Sequence, residues 1–340
     1  MNTIEIEGQD QLLVAARAGD HEAFERLVEP FRRELLAHCY RILGSMEDAE
    51  DLLQETLLRV WLRLETFAGR ASLRAWLYKV ATNACLDALD ARRRRGLPRL
   101  VHARGNPLAP LPAPEKQAAW VEPFPDEWVD GQPEVYPEAR YDRRESITLA
   151  FVAALQRLPG RQRAALLLRD VLGFGSDETA TLLEMTPAAM NSALQRARSS
   201  LRQAGETPGA HPLDALHSNL LTRYVAAWES ADAAALVALL REDAALTMPP
   251  LPVWFGGRDD IRRFVEDYLF QGSELFRVRL VPVRASGAPA FAVYQRDPRG
   301  VFRAAAIHVL TLGQDGIQTI DDFLSFDGSL LRRFGLPLTV

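Results

Sequence analysis

The sequence predicts a multidomain chain: two all-α modules, a helical bundle and a helix-turn-helix, followed by an α+β cone with a curved antiparallel sheet. Three observations carry this. Apolar residues recur at helical spacing across residues 9–95 and again across 145–203. Nine of the chain's 21 prolines fall between Pro98 and Pro137, too many for a packed core. Beyond about residue 216 the pattern turns to two helices and then to alternating runs parted by turn signals. The boundaries are therefore 9–96, an acidic linker 97–144, 145–206 and 216–340.

Residues 11–43 give two amphipathic segments broken near Asp20 and Pro30. The next helix, 46–64, opens on Ser45 as N-cap with acidic residues in its first turn, where the helix dipole favours them. After the loop TFAGRA comes SLRAWLYKVATNACLDALDARRRR, residues 72–95. Leu73, Leu77, Val80, Ala81, Ala84 and Ala88 form its core stripe, whereas Trp76, Lys79, Asn83, Asp87 and Asp90 share another narrow arc. The linker is acidic and carries Trp120, Phe124, Trp128 and Tyr136, so it is more than a spacer.

In SDETATLLEMTPAAMNSALQRARSSLR, residues 176–202, Ser176 or Asp177 caps a short helix through Glu184 and Met185 fills a turn that lacks its usual glycine. Thr186 caps a second helix with Pro187 at its first position, where a missing N–H costs nothing. Ala180, Leu183, Met190 and Leu194 face inward; Ala188, Ala189, Asn191, Ser192, Gln195, Arg196 and Arg198 face outward. Small residues and amides in front with arginines behind suit a major groove, base edges first and phosphates after. A surface helix pair with solvated arginines satisfies the same pattern. In the last block, helices at 217–240 and 258–270 precede runs joined by SGAP, DPRG and GQDG, an antiparallel meander.

Composition excludes some classes. No run reaches the roughly 18 apolar residues of a membrane span, and the acidic start lacks the pattern of a signal peptide, so a cytoplasmic protein with no membrane role is expected. Cys39 and Cys85 have no ligand or redox spacing and read as buried thiols; no metal or cofactor is expected. The net charge is −5, and residues 1–96 hold 14 basic against 16 acidic side chains. Any nucleic-acid contact must therefore come from local clusters such as Arg92, Arg93, Arg94 and Arg95.

DAEDLLQETLLRVW, then FAGRASLRAWLYKVATNACLDALDARRRR, a proline-rich linker, and LPGRQRAALLLRDVLGFGSDETATLLEMTPAAMNSALQRARSSLR together resemble the sigma-70 family, most closely its extracytoplasmic-function (ECF) branch. The resemblance covers about 9–95 and 145–203. It implies a non-enzymatic subunit of RNA polymerase that directs promoter recognition, melting and initiation. It also implies that Asp48, Asp51, Gln54, Glu55 and Arg59 face the clamp helices of the largest polymerase subunit, with the flap as a further contact. The 67–95 stretch then meets the melted −10 element. Phe67, Gly69, Arg70 and Ser72 form its capture loop, Trp76 and Tyr78 its stacking faces and Asn83 a base-edge contact, while Arg74, Lys79 and Arg92–Arg95 hold phosphates. The outward set of the second helix reads the −35 element as duplex. The linker is expected to run through the polymerase cleft, its negative charge imitating nucleic acid.

Residues 216–340 resemble SnoaL-like domains of the nuclear-transport-factor-like fold, a layout found in cyclases, isomerases and non-catalytic pockets. Tyr224, Trp228, His308 and Asp322 are the candidate ligand pocket; Asp321 and Asp322 are neighbours on one strand, so only one of them can serve it. The block is expected to modulate the helical modules within the same chain, through the 248–258 stretch MPPLPVWFGGR and the sheet's outer face, across the tether after Arg202. A small-molecule ligand and a separate anti-sigma protein are further partners this implies. Two alternatives stand beside it: a helix-turn-helix regulator acting alone, and a SnoaL-type enzyme tethered to DNA.

Overall fold

The computed structural model describes residues 3–69, 71–89, 95–115, 120–130, 144–203, 215–270 and 277–340. The chain divides into two compact units, and the division does not follow chain order. One unit takes residues 1–94, 128–146 and 154–207; the other takes 95–127, 147–153 and 208–340.

In the first unit, α1 (Thr3–Arg17) and α2 (His21–Leu43) are separated at Asp20, whose carboxylate accepts from the Ala23 N–H at 3.0 Å. No break occurs at Pro30, which lies inside α2. Its ring is exposed, so the carbonyl that loses its helical partner is on the side water can reach. The helix ends at Gly44 in a left-handed C-cap (φ 73°). Ser45 then caps α3 (Met46–Arg63) as expected, its hydroxyl accepting from the Asp48 N–H at 3.3 Å. Helix α4 (Leu73–Leu89) buries Leu73, Leu77, Val80, Ala81 and Ala84 as the periodicity requires. Cys39 and Cys85 are both buried free thiols.

The short α5 (Pro98–Val101) and strand β1 (Ala103–Arg104) belong to the other unit. After α6 (Leu149–Gln156), helix α7 (Gly160–Leu166) continues into a wider turn, Leu167–Val171. The helix-turn-helix follows as α8 (Ser176–Leu182) and α9 (Pro187–Gln203). Gly175, rather than Ser176 or Asp177, occupies the N-cap position of α8; Thr186 does cap α9, accepting from the Ala189 N–H at 3.2 Å.

The second unit begins its main body with α10 (Ala215–Glu229) and α11 (Ala233–Ala238). The helix expected through 240 stops short, because residues 240–247 form strand β2. Strand β3 (Val253–Gly256) and α12 (Arg258–Phe264) lead to β4 (Val278–Ala285), β5 (Ala288–Arg296), β6 (Phe302–Gly313) and β7 (Gly316–Leu324), with α13 (Ser329–Arg333) last. The strands β4 to β7 form the expected antiparallel meander; SGAP turns it through Ser286 (φ 55°) and Gly287 (φ 65°), the double positive φ of a tight hairpin. The sheet as a whole is mixed, in order β1-β3-β2-β7-β6-β5-β4, since β2 runs parallel to β7 and β1 parallel to β3. Its inner face packs Leu246, Phe255, Phe291, Leu310 and Ile320 against Trp228, Phe264 and Phe270.

The first part of the acidic linker is no free spacer. Residues 103–105 lie along the edge strand β3: the Gly105 N–H donates to the Trp254 carbonyl at 2.8 Å, and the Trp254 indole donates to the His102 carbonyl at 3.0 Å. Further on, Phe124 exchanges hydrogen bonds with Ser286, and Asp126 accepts from the Gly287 N–H at 2.8 Å. The aromatic side chains noted in the sequence, Trp120 and Phe124, are buried.

Candidate functional site

Helix α9 is built to present one face. Met190, Ala193, Leu194, Ala197 and Leu201 are buried and fix its rotation. Ala188, Ala189, Asn191, Ser192, Gln195 and Arg196 are all exposed, as the sequence anticipates. Arg198 departs from that set. Its guanidinium makes two bonds, 2.8 and 2.6 Å, to the carboxylate of Asp170, which is 1% exposed. A charge-assisted bidentate pair of this kind spends the fork of the arginine on holding the helix, not on phosphate. Asp170, which the sequence did not single out, is thus the orienting residue of the helix.

The 67–95 stretch is rearranged more. Tyr78 is fully buried and its hydroxyl donates to Glu34 at 3.1 Å, so it offers no stacking face. Burial and the Glu34 charge push its phenol well above the usual range. Arg74 donates to the same Glu34 oxygen at 3.1 Å and lies over the rings of Tyr78 and Phe174, at 4.8 and 4.7 Å. It is therefore a packed, paired cation and not a loose phosphate clamp. Phe67 is buried against Trp76, ring centroids 5.2 Å apart, which removes it from the capture loop while Trp76 keeps part of its surface. Gly69 (φ 67°) is exposed; Ser72 is exposed too and caps α4 by accepting from the Ala75 N–H at 3.1 Å. Lys79 is half-buried and pairs with Glu184 at 2.9 Å, and Asn83 is half-buried. Arg70, Arg92, Arg93 and Arg94 lie outside the described residues; Arg95 is partly buried.

On α3, Asp51, Gln54 and Glu55 are exposed and Asp48 is partly buried at the cap. Arg59 bridges Glu55 and Asp87, the latter at 3.1 Å, tying α3 to α4. The same face carries Leu58 and Leu62, 57% and 72% exposed, which the sequence reading passed over. Their separation from the acidic arc by one helical turn was the available signal.

In the second unit the four candidate pocket residues do converge, across a sequence separation of about ninety residues. The Tyr224 hydroxyl and His308 Nδ1 are 2.7 Å apart, the Trp228 ring is 4.7 Å from the imidazole, and His308 Nε2 is 3.4 Å from Asp322 Oδ1. His308 and Asp322 are direct cross-strand partners. Burial first, then the Asp322 carboxylate, pushes the Tyr224 phenol well above its ordinary range. Asp321 points to the opposite face, as alternation demands, yet it too is buried, because that face is covered. There it accepts from Thr247 at 2.8 Å, and burial raises its pKa to about 6 despite Thr247 and Arg99 of α5, which act to lower it.

Comparisons with known proteins bear on these surfaces. Residues 27–95 match the family model of sigma-70 region 2, 148–201 that of sigma-70 region 4, and 221–318 that of the SnoaL-like domain. The chain is 44% identical over 326 residues to the ECF RNA polymerase sigma factor SigG of Mycobacterium tuberculosis, covering 94% of this chain and 85% of that protein. It is 30% identical over 191 residues to SigM of the same species, 56% of this chain and 81% of the other. A crystal structure of the ECF sigma factor SigJ from Mycobacterium tuberculosis shares the fold, with a TM-score of 0.52 and 23% identity over 88% of this chain and 95% of that one. The relatives are sigma factors and not enzymes. Both sigma modules in order, the third domain after them and an alignment spanning nearly the whole chain leave one assignment: this protein belongs to the ECF family of RNA polymerase sigma factors and carries a SnoaL-like domain after its two sigma modules.

Proposed function

We propose that the chain joins core RNA polymerase through the exposed face of α3, reads duplex −35 DNA with α9 and engages the melted −10 element from α4. The observation that carries this reading is α9: six small, amide or cationic side chains exposed in sequence on a helix whose rotation is fixed by a buried apolar stripe and by Asp170. The interacting set is narrower than the sequence alone implies. At the −35 element it is Ala188, Ala189, Asn191, Ser192, Gln195 and Arg196. At the −10 element it is Trp76, Lys79, Asn83 and the Gly69–Ser72 loop. At the polymerase it is Asp51, Gln54 and Glu55 with the exposed Leu58 and Leu62 beside them.

Run-off transcription with core polymerase over a genomic promoter library tests the whole reading. Asn191→Ala, Gln195→Ala or Arg196→Ala should weaken one upstream element, each lost base contact costing about 1–3 kcal/mol. Trp76→Ala or Asn83→Ala should spare duplex binding and abolish permanganate reactivity of unpaired thymines. Equal loss of duplex binding in both groups, with melting intact, counts against the assignment. Charge reversal at Gln54 and Glu55 should abolish polymerase association.

The SnoaL-like domain is assigned a regulatory role in the same chain. Its interlocking with residues 95–127 supports this, since the connection between the sigma modules is physically part of the domain. Transcription should change severalfold when the chain is cut near residue 206. The Tyr224–His308–Asp322 chain is the place for a small polar ligand, because Asp322 Oδ1 is buried and accepts no hydrogen bond. Such a ligand changes activity only by its differential affinity for the restrained and open arrangements.

A further inference from the structure

The turn of the helix-turn-helix contains a conformational outlier. Glu184 sits between α8 and α9 in the left-handed region, φ 53°, where a side chain costs energy that glycine avoids. Nothing within the turn offsets this. The Glu184 side chain is 68% exposed, so the residue gains no burial. The side chain instead leaves its own module and meets Lys79 of α4 at 2.9 Å.

That ion pair is the exposed rim of a larger contact between the two sigma modules. Behind it Phe174, 5% exposed, packs edge-on against Tyr78 at 5.4 Å and receives the Arg74 guanidinium at 4.7 Å. Gly160, which opens α7, meets Leu86 and Leu89 of α4 so closely that a Cβ there would stand 2.9 Å from Leu86. At the far side the buried Arg163 donates to the Ile42 carbonyl and, at 2.8 Å, to Gln156 Oε1; Gln156 donates to the Arg41 carbonyl at 3.3 Å. A cation at the end of α2 is where the helix dipole favours one.

We propose that this contact is a closed resting state of the free protein, latched at its DNA-reading rim by Glu184 and Lys79. The proposal rests on the reading of α4 and α9 as −10 and −35 readers. The two elements lie about 25 base pairs apart, roughly 80 Å at 3.4 Å per pair. A chain whose α4 touches the α8–α9 turn cannot serve both. Promoter recognition then requires the modules to part, which frees Lys79 for phosphate. Glutamate in place of glycine at the turn is explained by the partner it reaches. Lys79, with Arg161 adding to it, also holds the Glu184 carboxyl below the ordinary range.

An exposed pair contributes little by itself, so the latch biases an equilibrium and does not lock it. The test is the distance between spin labels at Glu22→Cys and Ser200→Cys in the full chain, measured by pulsed EPR; the native cysteines are buried and stay unlabelled. Lys79→Glu or Glu184→Lys should raise the open population about two- to five-fold, and the double exchange should restore the closed one. Glu184→Gly should open the chain to a similar extent while its region 4 still binds duplex −35 DNA, which separates loss of the latch from damage to the turn. Unchanged distances in the single variants, or a double exchange that fails to restore closure, overturn the proposal. Thymine reactivity of the Lys79→Glu holoenzyme reports on the −10 reading alone: intact melting there removes Lys79 from the reader while the distance measurement still decides the latch.

Discussion

Two buried titratable residues give the two units opposite responses to acid. His38 is fully buried, shares a 2.8 Å bond with Thr82, and has its pKa lowered from 6.5 to about 3 by burial and then by Arg41 and Arg74. Its native state resists protonation that the unfolded chain accepts. The stability it supports is therefore complete above pH 6.5 and falls as the pH drops toward 3, by at most about 1.4 kcal/mol per unit. Asp321 is the reverse case: raised to about 6, it binds its proton more tightly when folded, so stability declines as the pH rises from about 4 to 6. Asp321→Asn should flatten that decline and stabilise the second unit at neutral pH by about 2–3 kcal/mol, read from urea midpoints across the range. A midpoint of the Asn variant that still falls between pH 4 and 6 removes Asp321 as the cause. Arg198→Ala leaves Asp170 buried without its bidentate partner and should cost about 3 kcal/mol, seen as an early thermal transition of region 4 even without DNA.

At the scale of elements, the parallel seam between β1 and β3 depends on a close backbone approach. A Cβ at Gly105 would collide with Val253 Cγ2 and stand 3.0 Å from Phe255. Gly105→Val should therefore peel residues 103–115 off the edge strand, while the meander β4 to β7 stays folded. Hydrogen exchange at the Gly105 amide, bonded to the Trp254 carbonyl, reports this directly: protection should drop to that of an exposed loop. Retained protection in the variant rejects the seam as the holding contact. A strand added at an edge also removes a row of unpaired backbone groups that would otherwise invite association. Helix α3 shows the opposite economy, keeping Leu58 and Leu62 in water on a face assigned to polymerase.

For the whole molecule, the division of the chain into interleaved units has a mechanical consequence. Removing residues 208–340 deletes the surface on which residues 95–127 fold, exposing Trp120, Val121 and Phe124. A 1–206 fragment should be cut by trypsin after Arg99 or Arg104 far faster than the full chain. Equal cleavage of both would show that the segment folds without the domain. The severalfold change in transcription expected of the same fragment is then partly a change in the connection between the sigma modules. Among the described residues no helix is long and apolar enough to cross a membrane.

The sequence by itself determined the modules and the elements that make contact with nucleic acid. Periodicity, the Ser45 and Thr186 caps and the Pro187 start are local signals, and local signals survive into the fold because each depends on neighbours within four residues. It also assembled Tyr224, Trp228, His308 and Asp322 as one candidate set, which the cross-strand register then joined. What only the tertiary structure decided was which polar residues remain available. Tyr78 and Arg74 share a helix with Trp76 and Asn83, and no spacing rule distinguishes them. Glu34, forty residues away, and Phe174, a hundred away, claim both. Arg198 and Arg196 differ in the same way, by the presence of Asp170 beneath one of them. The linker was unreadable for a related reason: its hydrogen bonds go to an edge strand and a hairpin turn more than 140 residues downstream, and a proline-rich segment has no period of its own to reveal such partners.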